Sequence, residues 1–356
     1  MTLEGTVTVT ETVAEEKTRA PKRSSGLLFL GKRLGIYAAT AVVAVALNFF
    51  IPRFIPGDPV VALVRQLEQQ TGTRMSAEQV SALYSLYGDP NQNLVQQFFT
   101  YVGDVFQGDF GLSVMRYPTP VSQLIAEAMP WTLFLAGVTT VLAWVIGTAL
   151  GSIVGWKPGS RLDNILTPAS QLFTSFPAFW IGMVMLWGFS FVLGWLPRAG
   201  GYSPDVPFEI NNVFFLLSVL EYGALPMFTL ILVGFAGWLF SMRNMMVTTI
   251  SEDYVTLAKA KGLPERRVMF RYAARNALLP NVTNLAMAMG GIVGGTVLAE
   301  IVFTYPGVGM LLLQSIVSQD YPLMQTIFLM LVLSVLVANF IADSIYVILD
   351  PRTREG

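Results

Sequence analysis

The chain has 356 residues, of which 53% are hydrophobic and 13% charged, and its mean hydropathy is +0.57. Soluble domains carry about 25% charged residues, so this balance describes a chain made for a bilayer. There is no Cys and no His, which excludes a disulfide framework, a thiol nucleophile, an imidazole base and the commonest metal ligands.

Residues 1–25 are polar, Thr/Glu-rich and end in a basic cluster, and are expected to be a disordered cytoplasmic tail. Within 26–51, Leu34 to Ile51 is an uncharged run behind Lys32-Arg33, about the minimum for a spanning helix. A cleaved signal peptide is the alternative, with Ala44-Val45-Ala46 as its mimic of a cleavage site. The run continues past that point, which favours an uncleaved anchor. Residues 52–130 are too polar to span and are expected to form an extracytoplasmic insertion on the membrane surface. Its helices are expected at Ser76–Tyr87, Leu94–Phe106 and Val121–Met129, and Gly108-Asp109-Phe110-Gly111 reads as a turn.

The core, 131–350, should hold five more spans. Leu133–Trp156 is the second, with Trp131 and Trp156 as interfacial anchors. Ile165–Trp195 is too long for one straight helix, and Pro168 and Pro177 are expected to break or kink it. Ala224–Met242 is the fourth, with Val213–Leu220 as a possible outer extension. Asn281–Phe303 and Leu323–Leu349 are the fifth and sixth, and 351–356 is a short C-terminus. Seventeen of the 22 Lys and Arg fall in the tail, in the loops after the second and fourth spans, and in the C-terminus. The positive-inside rule then puts both termini in the cytoplasm.

Between the fourth and fifth spans lies the most informative stretch, Ser251 to Pro280. Seven of the 22 basic residues fall between Arg243 and Arg275. A helix is expected over Tyr254–Ala260, a turn at Gly262, and a second helix opened by Pro264-Glu265. On it Arg267, Arg271 and Arg275 recur every four residues as a basic stripe, with Val268, Phe270, Tyr272 and Ala273 around it.

This segment resembles the EAA coupling loop of ABC importer permeases, most closely the dipeptide/oligopeptide/nickel branch. The resemblance rests on Asp253-Tyr254-Val255, Ala258-x-Ala260-Lys261-Gly262-Leu263, Glu265-Arg266-Arg267 and Arg275 to Pro280. Thr256-Leu257-Ala258 stands where the wider superfamily has Glu-Ala-Ala. Phe54 to Pro59, Gly108 to Ser113, Phe303 to Gly309 and Asp350-Pro351-Arg352 also resemble marks of the branch. The resemblance implies an all-α polytopic membrane protein with six transmembrane helices and the type I ABC importer permease fold, in the plasma (inner) membrane. It further implies a second homologous permease subunit, two cytoplasmic ATPases that bind ATP and Mg, and an extracytoplasmic substrate-binding protein. Asp253, Tyr254, Ala258, Ala260, Lys261, Gly262, Glu265, Arg267, Arg271 and Arg275 would couple to the ATPases.

On the chain itself no catalytic residue, cofactor or metal site is expected. Neither GxxxxGK[ST] nor a strand-borne GxGxxG occurs, so ATP hydrolysis belongs on another polypeptide. Nothing suggests nucleic acid as a partner; membrane lipid is one. Two carboxylates fall inside expected spans. Glu300 is either a boundary residue or a gate element beside Tyr305 and Pro306, and Asp343 is expected to accept hydrogen bonds at a helix contact. Gly290, Gly291, Gly294 and Gly295 have small-xxx-small spacing and should pack a helix within the chain or against the second permease. Phe176 and Trp180 are candidates to line the pathway. The expected cargo is peptide, with oligosaccharide or a nickel chelate as alternatives. An ion-coupled secondary transporter or a membrane enzyme is a more distant reading, since no mid-membrane relay or internal repeat is visible.

Overall fold

In the computed structural model, residues 26–54, 59–87 and 93–349 are described, and they are helical apart from turns and one isolated bridge, Leu112 to Pro120. The early helices are α1 (Gly26–Phe54), α2 (Pro59–Thr71), α3 (Ala77–Tyr87) and α4 (Leu94–Gln107). Then come α5 (Val121–Trp156), α6 (Arg161–Ser175) and α7 (Ala178–Met185), the last continuing as a π-helical turn, Leu186–Val192. Next are α8 (Val213–Ile250), α9 (Asp253–Ala260) and α10 (Glu265–Arg267), and a π-helical turn over Val268–Ala274. The remainder is α11 (Arg275–Gly290), α12 (Ile292–Gly295), α13 (Val297–Val302), α14 (Val308–Val317) and α15 (Tyr321–Leu349).

Four of these, α1, α5, α8 and α15, are long and apolar enough to cross a membrane, and α6 with α7 makes a fifth if the bent pair is one span. The bend is 100° and sits at Pro177, the residue before α7. Phe176 ahead of it is extended (ψ 137°), as the residue before a proline is obliged to be. The expected break of the 165–195 run thus falls at Pro177, while Pro168 lies inside α6 without ending it. Hydroxyls in the same turns take up backbone and side-chain acceptors, Ser170 Oγ donating to Thr167 O at 2.8 Å and Thr167 Oγ1 to Asp163 at 2.6 Å.

Three boundaries also differ from expectation. The Val121–Met129 helix and the Leu133–Trp156 span are one 36-residue helix that runs through Pro130. Val213–Leu220 does extend the fourth span, and α8 also runs on to Ile250, taking Arg243 into the helix. At about 1.5 Å per residue α5 and α8 each exceed 50 Å, well beyond a hydrocarbon core of about 30 Å. The expected fifth span, 281–303, is divided at Gly291 and Thr296 into α11, α12 and α13.

The seam between α5 and α8 holds the core together. Gly147, Gly151 and Gly155 recur every four residues on α5 and are buried against Leu239, Met242 and Met246. A Cβ at Gly151 would stand 2.5 Å from Leu239 O and 2.8 Å from Met242 Cβ, and one at Gly155 would stand 2.6 Å from Met246 Cβ. Only glycine admits so close an approach of two backbones. At one end of α5, Val121, Leu124, Ile125 and Ala128 pack with Val308, Leu311 and Leu312 of α14 and Leu323 and Ile327 of α15. The first helix lies along α15, with Tyr37 edge-on to Phe340 at 5.9 Å and Asn48 Nδ2 donating to Gln325 O at 2.9 Å. In the insertion, Val60 and Leu63 of α2, Leu83 of α3 and Val114 form a small core of their own. The α2 helix has no counterpart among the expected elements.

Candidate functional site

The loop between α8 and α11 is a helix–turn–helix seated on a buried apolar base. Val255 and Ala258 of α9 and Val268, Ala273, Ala274 and Ala277 of the second helical run pack on Met242 and Met246 of α8. Gly262, at φ +70°, makes the turn in a conformation that side chains with a Cβ avoid. A Cβ there would touch nothing, so the requirement for glycine is one of backbone angle alone. Pro264 then caps α10, placing Glu265 in the first turn, where a carboxylate meets the helix dipole favourably.

Glu265 ties this loop to the end of α5. Its Oε1 accepts from Trp156 Nε1 at 2.8 Å and pairs with Lys157 Nζ at 3.0 Å, while Lys259 lies over the Trp156 ring, 5.0 Å from its centroid. The indole hydrogen bond first and Lys157 second hold its carboxyl below the usual glutamate range. Trp156, Lys259, Leu263, Glu265 and Val268 line a cleft of about 340 Å³. What remains outward is apolar and basic together: Tyr254, Leu257, Phe270 and Tyr272 with Lys261, Arg266, Arg267, Arg271 and Arg275. Asp253 and Ala260 are exposed as well, whereas Ala258 is buried and serves the base. The run carrying the arginines is π-helical over Val268–Ala274, a distortion that helices tolerate mostly at functional sites.

The second site is the hairpin Phe303–Gly307 between α13 and α14. Glu300 is fully buried at its base. Its Oε2 accepts from Gly309 N at 2.7 Å and its Oε1 from Thr296 Oγ1 at 2.9 Å, while its carbonyl accepts from Tyr305 N at 2.8 Å. Beside it, Thr132 Oγ1 of α5 accepts from Val308 N at 2.8 Å. A Cβ at Gly307 would run into the Glu300 carboxyl and the Thr132 hydroxyl, which is why a glycine stands there. Tyr305 is also fully buried and meets Trp131 edge-on at 5.7 Å, and the half-buried Pro306 lies against Gly201. Glu300 and Tyr305 thus build the hairpin from inside.

Phe176 and Trp180 do present exposed rings, stacked 6.2 Å apart at the α6/α7 bend. The next residues along, Met183, Leu186, Trp187 and Phe191, line an apolar cleft of about 360 Å³ with Val302. Among the described residues, a Cβ at Gly294 or Gly295 would meet no atom within 4 Å, and one at Gly291 only Ala288 O at 3.9 Å. The surroundings of Gly290 and the side chain of Asp343 lie outside the described residues, as do residues 55–58 and 350–356.

Two polar junctions carry no sequence signal of their own. Arg243 of α8 grips Asp163 of α6 with Nε at 2.5 Å and Nη2 at 2.7 Å, a two-pronged pair reinforced by Gly159 N–H and the Thr167 hydroxyl. Asp320, fully buried before α15, accepts from the Ser113 hydroxyl and from Met115 N at 2.9 Å, joining the Gly108–Ser113 turn to the last helix.

With the geometry in place, residues 147–355 match the family described as binding-protein-dependent transport system inner membrane component. Full-length relatives include the oligopeptide transport system permease protein AppB of Bacillus subtilis, 35% identical over 86% of this chain and 92% of its own length. The di/tripeptide transport system permease protein DppB of Pseudomonas aeruginosa is 33% identical over 92% of this chain and 99% of its own. The glutathione transport system permease protein GsiC of Shigella boydii is 31% identical over 90% and 96%.

Proposed function

The chain belongs to the binding-protein-dependent transport system inner membrane components, and on that footing we propose that it forms half of the translocation pathway of an ATP-driven importer of peptides. Peptide is preferred to an oligosaccharide or a nickel chelate because AppB, DppB and GsiC are named for oligopeptides, di/tripeptides and glutathione. The other half is a second permease subunit, for which the open glycines at 291, 294 and 295 offer a close-approach face. Two cytoplasmic ATPases hold ATP and Mg, and an extracytoplasmic binding protein delivers the cargo. Both termini and the α8–α11 loop lie in the cytoplasm, and the 52–130 insertion lies outside.

One observation carries this reading: the exposed apolar and basic face of the loop stands on a base that is continuous with α8 and α11. A subunit docked on Tyr254, Leu257, Phe270 and the arginines would grip a rigid lever. Its movement would pass through Met242 and Met246 into α8, and through Trp156 and Glu265 into α5. Gly262 sets the angle between the two helices of the lever. Valine at φ +70° costs on the order of 1–2 kcal/mol in backbone strain. Because no neighbouring atom is disturbed, that strain falls on the turn itself. Gly262→Val is therefore expected to reach the membrane normally but to transport less peptide per ATP hydrolysed in reconstituted vesicles. Unchanged uptake by that variant would remove the lever from the mechanism.

The basic face supplies a separate test. Arg271→Glu with Arg275→Glu places like charge where an acidic partner surface is expected. Co-purification of the ATPases should fall severalfold, with a larger loss at low salt than at high salt because such contacts are screened. Equal recovery of ATPase at every ionic strength would show that these arginines do not dock it.

A further inference from the structure

The described part of the insertion contains a helix with more apolar surface than the protein covers. At about 100° per residue, α4 divides into three faces. Phe98 and Tyr101 point at α1: Phe98 meets Phe49 edge-on at 5.3 Å and stacks on Phe50 at 6.0 Å, and Tyr101 Oη accepts from Asn48 Nδ2 at 3.0 Å. Gln96, Thr100, Asp104 and Gln107 form a polar arc roughly opposite. Between them run Val95, Phe99 and Phe106, three large apolar side chains at helical spacing, of which Phe99 is 68% and Phe106 87% exposed. The helix has defined ends, with the Asn93 side chain accepting from Val95 N and Gly108 closing in the left-handed region, so this face is held in a fixed orientation.

The bare stripe continues an exposed apolar surface on a helix apolar enough to cross a membrane. Val43, Leu47 and Phe50 form an exposed apolar line along α1, a membrane span, and Phe98 stacks on the last of them. The contact is made at the end of the apolar stretch Arg33–Phe50, the part of a span that would lie nearest the headgroups. With 14 residues, α4 is about 21 Å long and too short to span.

We propose that α4 is an interfacial helix that lays Val95, Phe99 and Phe106 into the lipid beside α1, with its polar arc in water. Aromatic side chains on one face and polar groups on the other suit the boundary region, where such helices sink about 5–10 Å. The side of the membrane rests on the topology proposed above, which puts this end of α1 outside. Anchored so, α4 holds the insertion flat on the bilayer and fixes its height over the outer ends of α1 and α15.

The chain has no cysteine, so single labels introduced into it have no background from the chain itself, and the unsubstituted assembly serves as the blank. Nitroxides at Phe99→Cys, Phe106→Cys, Gln96→Cys and Gln107→Cys would be read in the assembled transporter, reconstituted in phosphatidylethanolamine/phosphatidylglycerol vesicles. Oxygen, which partitions into lipid, is expected to relax the labels at 99 and 106 severalfold more, relative to a water-soluble nickel chelate, than those at 96 and 107. Val95→Cys provides a further lipid-face position should either phenylalanine variant fail to assemble. Equal access of the nickel chelate to all positions, or exclusion of both reagents from 99 and 106 by a covering protein, would overturn the proposal. Labelling of Gln96→Cys by an impermeant thiol reagent in intact cells reads the side separately. Reaction only in inverted vesicles would overturn the topology while leaving the lipid contact to the nitroxide result.

Discussion

Gly151→Leu is expected to prevent accumulation of the folded chain, whereas Gly294→Leu is expected to leave the isolated chain as stable as the parent. The two glycines are indistinguishable by composition, each one member of a small-xxx-small pair in an apolar helix. At position 151 the first side-chain atom alone would lie 2.5 Å from Leu239 O and 2.8 Å from Met242 Cβ. Relief requires moving the backbone of α8, because no flexible side-chain end is in the way. Overpacking a well-filled core costs about 1–3 kcal/mol, and separating the α5–α8 seam also strips contact from Gly147 and Gly155. Against a total stability of about 5–15 kcal/mol, that loss is large. Around Gly294 there is open space, so a leucine there can affect only what another molecule places on it. Membrane-fraction yield and detergent melting temperature of the two variants check this directly. A parental melting temperature for Gly151→Leu would show that the seam is looser than its geometry. For Gly294→Leu, a normal monomer that no longer pairs with a second permease would support the proposed subunit face.

The contrast also shows what could be read from residues alone. The glycine series on α5, every four residues from Gly147, carries the same sequence signal as the one around Gly294, yet only the α5 series meets a packed neighbour within the described residues. Spacing reveals that a close approach is possible and says nothing of what approaches. Local chemistry was informative where it acts locally: Gly262 and Pro264 marked their turn, and the helix expected from Ser76 does begin there, with Ser76 and Gln79 capping each other at 2.9 and 3.3 Å. Pro177 and Pro168 looked alike as helix breakers, but only Pro177 ends a helix, while α6 runs on through Pro168. The junctions Arg243–Asp163 and Asp320–Ser113 join residues 80 and 207 positions apart. Neither partner looks unusual in its own neighbourhood, so such pairs become visible only in the fold.

Glu300 is the residue whose substitution gives the second large effect. An acidic residue in an apolar stretch invites a role in gating or in ion coupling. Its surroundings instead make it a clamp, since Gly309 N–H and the Thr296 hydroxyl both spend their protons on it and no cation touches it among the described residues. Glu300→Ala removes both acceptors and leaves those donors buried, at about 1–3 kcal/mol for each unsatisfied group, with a cavity added. The Phe303–Gly307 hairpin should then loosen and uptake should fall to a small fraction of the parent. Glu300→Gln separates hydrogen bonding from charge. Its carbonyl can accept from Gly309 N–H while its amide donates to Thr296 Oγ1, whose hydroxyl is free to turn. Near-parental uptake by Glu300→Gln, with collapse in Glu300→Ala, is the expected pair of results. If Glu300→Gln instead folded normally but lost uptake, an ionisable group would be needed at this site, and the clamp would be only part of what Glu300 does.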